Sequence, residues 1–84
     1  MLGMPKAQHA RRYRQLPAML RQMREAASLT QRELARKLDM THVSVHKSET
    51  GDRRVDVTEF MDWCLACKVD PVESFRSLRS LRAV

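Results

Sequence analysis

Apolar residues recur at three- and four-residue steps along most of the chain, and no stretch alternates like a strand, so the pattern predicts helices throughout. The first run is Leu16, Met19, Leu20, Met23 and Ala27. Proline is tolerated in a first helical turn, where its missing N–H has no partner to lose, so Pro17 sets the expected start of helix 1 near Leu16. Residues 1–14 are polar and basic, with Gly3 and Pro5 near the start, and are expected to form a loose N-terminal arm. Thr30 and Glu33 have the spacing of a capping box, with Leu29 and Leu34 placed as a hydrophobic staple, and announce helix 2. Helix 3 starts near Thr41 and closes at Gly51, a residue suited to the left-handed position after a helix. Helix 4 has a second capping box in Asp56 and Glu59, a staple in Val55 and Phe60, and a buried face of Phe60, Trp63, Cys64 and Cys67. Helix 5 opens with Asp70 as cap and Pro71 in its first position, then runs through Val72, Phe75 and Leu78. The expected fold is all-α, a compact five-helix bundle over residues 15–76 followed by a short tail, 77–84.

The segment from Leu29 to Gly51 carries the most information. Two short helices joined by a tight turn read as a helix-turn-helix, and the second of them has a polar, hydrogen-bonding outer side. At about 100° per residue, Thr41, Val45, Ser48 and Glu49 fall together, and His42, Val43, His46 and Lys47 fall opposite. That outer side suits a DNA major groove, where His and Lys can bond base edges and a valine can touch a thymine methyl. His42, Val43, His46 and Lys47 are therefore candidate base readers. Ser44, near the edge of that outer face, is a candidate phosphate contact, as is Thr41 where the helix starts.

Charge agrees with a polyanionic partner. The 84 residues hold 16 Lys and Arg against 10 Asp and Glu, a net charge of +6, and the pI is about 10.2. The basic residues are interleaved with acidic ones and accompany no long apolar run, which favours double-stranded DNA over a membrane surface. No segment reaches signal-peptide or transmembrane character, so a cytoplasmic protein is expected. One core is all that this length provides.

From Leu16 to Phe75 the sequence resembles the five-helix DNA-binding domain of the phage-repressor and Cro family, also called the xenobiotic-response-element family of bacterial regulators. LTQRELA and the SETG closing helix 3 carry the resemblance, set behind the approach LRQMREAASLTQ. The resemblance implies that Ala35 is the small residue letting the two helices cross closely and that Val45 anchors the recognition helix. It places a phosphate-binding glutamine at Gln31, base readers at His42, Val43 and Lys47, and phosphate contacts at Arg53 and Arg54. It also implies a buried ion pair between Arg24 and Glu49. Two positions depart from the family pattern: Asp39 stands in the turn where glycine is common, and Ser48 stands where an inward aliphatic residue is usual. A buried serine needs a partner, and the carbonyl of Ser44 is the nearest.

Other chemistries fit less well. His42, His46, Cys64 and Cys67 are ligand types that zinc accepts, but the histidines face outward while the cysteines share an apolar face with Phe60 and Trp63, so no metal site is expected. Thiols buried in that way are also poor redox sensors, and two cysteines make no disulfide framework. The chain has no glycine-rich phosphate loop, no well-spaced carboxylate pair and no Ser, His and acid constellation, which argues against an enzyme, and no cofactor is expected. The function expected is a transcriptional regulator, a repressor acting as a homodimer on a palindromic operator, because one module reads too few base pairs alone. Leu78, Leu81 and Val84 in the tail are candidates for the two-fold contact. The alternative is an interaction module such as an antitoxin, whose tail binds a small protein partner while the same domain autoregulates.

Overall fold

Each short helix begins where the sequence supplies an acceptor for the free N–H groups of a first turn. In the computed structural model, which describes residues 6–83 and the side chains of residues 13–80, the elements are α1 (Lys6–Ala26), α2 (Gln31–Leu38), α3 (His42–Thr50), α4 (Val57–Ala66) and α5 (Pro71–Ala83). No strand occurs among the described residues. Both capping boxes form: the Glu33 N–H donates to Thr30 Oγ1 at 3.0 Å while the Thr30 N–H donates to Glu33 Oε1 at 2.8 Å. Asp56 and Glu59 repeat the arrangement ahead of α4. These bonds hold the Glu33 and Asp56 carboxyls below their ordinary range.

Helix ends follow the same logic. Asp39 takes the left-handed conformation at φ 55° and ψ 47°, and the next N–H, from Met40, donates to the Ala35 carbonyl at 3.0 Å. The turn that commonly uses glycine is thus made by aspartate, one of the few side chains that adopts this region at modest cost. Gly51, at φ 90°, closes α3 and lets the Arg53 N–H reach back to the Lys47 carbonyl at 3.1 Å.

The core contains Leu20 from α1, Leu34 and Ala35 from α2, Val45 from α3, and Phe60, Trp63 and Cys64 from α4, with Cys67 just beyond it. The Trp63 indole N–H donates to the Leu20 carbonyl at 3.1 Å, which satisfies its one polar atom inside the core. Ser48 is fully buried, and its hydroxyl donates to the Ser44 carbonyl at 2.8 Å, the bond expected from sequence. The two thiols are core groups. Burial raises both and pushes Cys67 up to about 11, so neither supplies a reactive thiolate.

The expected start of helix 1 near Leu16 is corrected by the structure. α1 begins at Lys6 and carries Pro17 in its interior, so residues 6–14 of the expected arm are helical, while residues 1–5 lie outside the described residues. An internal proline removes the bond to the carbonyl four residues earlier and costs on the order of 3 kcal/mol. Tertiary contacts hold this part of the helix in place. Pro17 is buried, and Tyr13, one turn earlier, accepts a hydrogen bond at its hydroxyl from the Val55 N–H at 2.9 Å. On α5, Val72 and Phe75 are exposed.

One buried ion pair connects these elements. Arg24, late in α1, donates from Nε to Glu49 Oε2 at 2.6 Å and from NH2 to Glu49 Oε1 at 3.1 Å, and its NH1 donates to the Leu29 carbonyl at 2.8 Å. The side chains retain 11% and 2% of their exposure. Leaving either charge without its partner exposes the full desolvation cost of the other. Arg24→Met or Glu49→Gln alone is expected to cost roughly 3 kcal/mol in chemical denaturation, and the double variant is expected to recover much of it. Strictly additive losses would contradict the coupling.

Candidate nucleic-acid interface

The α2 and α3 helices pack on each other, and α3 also packs on α1, which fixes which side of α3 meets solvent. Val45, Ser48 and Glu49 point inward. Val43, His46 and Lys47 are exposed, and His42 is half-buried, so the four expected readers lie on the open side of the helix. Lys47 has no ion-pair partner among the described residues, and Val43 keeps 48% of its surface. A cation and an apolar surface are thereby left available on one helical face.

Thr41 was expected inward by periodicity and is exposed instead. It is the residue before the helix, with extended backbone at φ −79° and ψ 154°, so helical spacing does not govern its direction. Its hydroxyl accepts from the Ser44 N–H at 3.1 Å and donates to Ser44 Oγ at 3.0 Å. Thr41 and Ser44 thus form one small polar group at the start of α3, where the helix dipole is positive.

Gln31 stands at the first position of α2 and reaches across to α3. Its side-chain nitrogen donates to Glu49 Oε1 at 3.1 Å and lies 3.3 Å from His46 Nδ1. The buried ion pair therefore continues outward through an amide to an exposed imidazole. Sequence spacing alone gave no sign of this link, because it joins residues on different helices.

The basic loop after α3 divides its two arginines. Arg53 donates from NH2 to Glu59 Oε2 at 2.6 Å and from NH1 to Glu59 Oε1 at 3.2 Å, and its NH1 also lies 3.3 Å from Ser48 Oγ. These bonds tie the loop to the start of α4 and to the buried serine of α3. The carboxyl of Glu59 is lowered chiefly by the Arg53 hydrogen bond, and the guanidinium is raised in return. Arg54 is the exposed one of the two. Its guanidinium carbon sits 4.7 Å from the centre of the Tyr13 ring, while the Tyr13 hydroxyl accepts from Val55 and makes a long 3.5 Å bond to the Arg53 carbonyl. Tyr13 is a contact residue of this loop that periodicity missed, since a lone aromatic among arginines gives no repeating apolar pattern to mark it.

His46 and the two cysteines, ligand types that zinc accepts, stay apart. Cys64 and Cys67 are buried, His46 is on the surface, and no group of three or more His, Cys, Asp or Glu side chains gathers among the described residues.

A family model for a helix-turn-helix domain matches residues 15–74. The XRE-family like protein from Pseudomonas syringae pv. tomato str. DC3000 is 39% identical, with a TM-score of 0.82 over 90% of this chain and 93% of that one. The chain belongs to the XRE helix-turn-helix family. Its helix-turn-helix is α2, the Asp39 turn and α3, and the domain is the DNA-binding part of a transcriptional regulator. No curated protein matches the chain. Among the described residues no helix is long and apolar enough to cross a membrane. The helix-turn-helix match begins after Tyr13, so the α1 partner in the tie to the basic loop lies outside the matched residues.

Proposed function

We propose that this protein is a sequence-specific repressor that binds a palindromic operator as a homodimer, with α3 in the major groove. The observation that carries this reading is the outer face of α3: Val43, His46 and Lys47 are open, while the inward polar groups Ser48 and Glu49 have partners inside the molecule. In this reading His42, Val43, His46 and Lys47 meet base edges. Thr41, Ser44, Arg54 and the start of α2 at Gln31 meet phosphates and set register. Arg53 acts on the backbone indirectly, by holding the loop that presents Arg54. Occupying the operator in the cytoplasm is sufficient for repression and needs no chemistry from the protein.

A homodimer needs a surface, and α4 with α5 supplies a candidate. Val57, Met61, Val72 and Phe75 are exposed apolar side chains that line, with Phe60 and Pro71, a groove of about 340 Å³. None of these groups is charged, so two copies of a strongly basic chain can meet here without bringing like charges face to face. Two copies related by a two-fold axis would present two recognition helices to one face of a duplex. The tail remains part of the proposal through Leu78, which is half-buried, whereas the side chains of Leu81 and Val84 lie outside the described residues.

Lys47→Ala is expected to lower affinity for the preferred duplex by about 1–3 kcal/mol and to relax preference at one base pair per half-site. Arg54→Ala is expected to weaken all duplexes alike and to reduce the slope of log affinity against log salt by about one per site. A uniform loss in the lysine variant, measured on single-base operator variants, would move the reading face elsewhere.

The dimer surface has its own test. Because Phe75 keeps 59% of its surface, Phe75→Asp should leave the thermal midpoint of the folded monomer nearly unchanged and convert dimer to monomer in sedimentation equilibrium. A wild-type monomer that co-purifies with a small protein would support the interaction-module reading instead, and a variant that stays dimeric would exclude this groove.

A further inference from the structure

The contact between Gln31 and His46 decides more than position. An amide nitrogen carries two hydrogens and no acceptor site, and Gln31 Nε2 has two neighbours across the α2–α3 interface: Glu49 Oε1 at 3.1 Å and His46 Nδ1 at 3.3 Å. The carboxylate of Glu49 can only accept, and it is held in place by Arg24 at 2.6 Å. The Gln31 amide must therefore turn its nitrogen, not its oxygen, toward Glu49. Its second hydrogen then faces His46, whose Nδ1 can receive it only as a bare lone pair. A neutral imidazole with a bare Nδ1 carries its proton on Nε2.

From this we infer that Gln31 is a positioning residue for sequence reading, which fixes the exposed His46 ring as a hydrogen-bond donor at Nε2. The inference rests on the regulator reading and adds a specificity to it. A donor at Nε2 selects base edges that accept, guanine O6 or N7, adenine N7 and thymine O4, and disfavours cytosine, whose major-groove edge offers only an amino donor. Without the lock, the ring turns and can present either nitrogen. Gln31 thus acts on bases through His46, in addition to the phosphate contact that its place at the start of α2 supports. The chain Arg24, Glu49, Gln31, His46 carries the rigidity of a buried ion pair to the surface.

The experiment pairs Gln31→Met, which keeps length and removes both donors, with His46→Ala. Each variant and the double variant are titrated against a panel of single-base changes in the preferred duplex. The expected result is one position per half-site where cytosine is disfavoured roughly three- to tenfold against the accepting bases, with that preference lost in either single variant and no further loss in the double. A Gln31→Met protein that keeps the His46-dependent preference and weakens every duplex alike overturns the proposal, as does a double variant whose loss of preference at that position exceeds that of either single variant. Long-range ¹H–¹⁵N spectra of the free protein supply a readout independent of DNA. The wild-type His46 ring should show a single tautomer with the proton on Nε2, and Gln31→Met should give averaged nitrogen shifts. Unchanged ring shifts in the variant also overturn the proposal. Absence of any sequence preference in wild type, with a locked ring, would count against the regulator reading and leave the tautomer lock standing.

Discussion

The ion pair between Arg24 and Glu49 is the constraint on which the rest of the molecule depends. It joins the end of α1 to the end of α3, and through the Leu29 carbonyl it also fixes the loop that delivers the chain into α2. Burying two charges is costly unless each finds its geometry, so the pair tolerates few arrangements of these helices. Apolar side chains of similar volume could hold the helices together, but they would accept many relative rotations. A fork of guanidinium N–H groups on one carboxylate accepts few. The orientation of α3, and hence which residues it presents, follows from that geometry.

The two sides of α3 have different surroundings. Its inward side has Val45 as the apolar anchor and Ser48 bonded back to Ser44, so the helix is held without a large core of its own. Its outward side has side chains with few internal obligations. The basic loop shows the same division in two adjacent residues: Arg53 is fastened to Glu59, and Arg54 stays exposed above Tyr13. Neighbouring arginines of identical chemistry therefore have different contacts, decided by what the adjoining helices place within reach.

Much of this was legible in the sequence, because helix caps and apolar periodicity are local. Thr30 with Glu33, Asp56 with Glu59, the left-handed Asp39 and Gly51, and the buried face of α4 all follow from residues within one or two turns of each other. The buried partner of Ser48 was also predictable, since its nearest acceptor is one turn away. What escaped was long-range. Pro17 argued for a helix start near Leu16, but Tyr13 meets Val55, 42 positions later in the chain, and supports the turns before the proline. Gln31 and His46 sit on different helices, and the engagement of Arg53 depends on where α4 begins. The exposure of Val72 and Phe75 depends on how α5 lies against α1 and α4, which apolar spacing alone does not fix.

Selection of bound duplexes from a random pool tests the central claim, that the outer face of α3 reads base pairs twice across a two-fold axis, most directly. The expected product is an inverted repeat with half-site centres about one helical turn apart, roughly 10 base pairs. Recovery of a pool with no enriched motif, although the protein binds DNA at low salt, would contradict it.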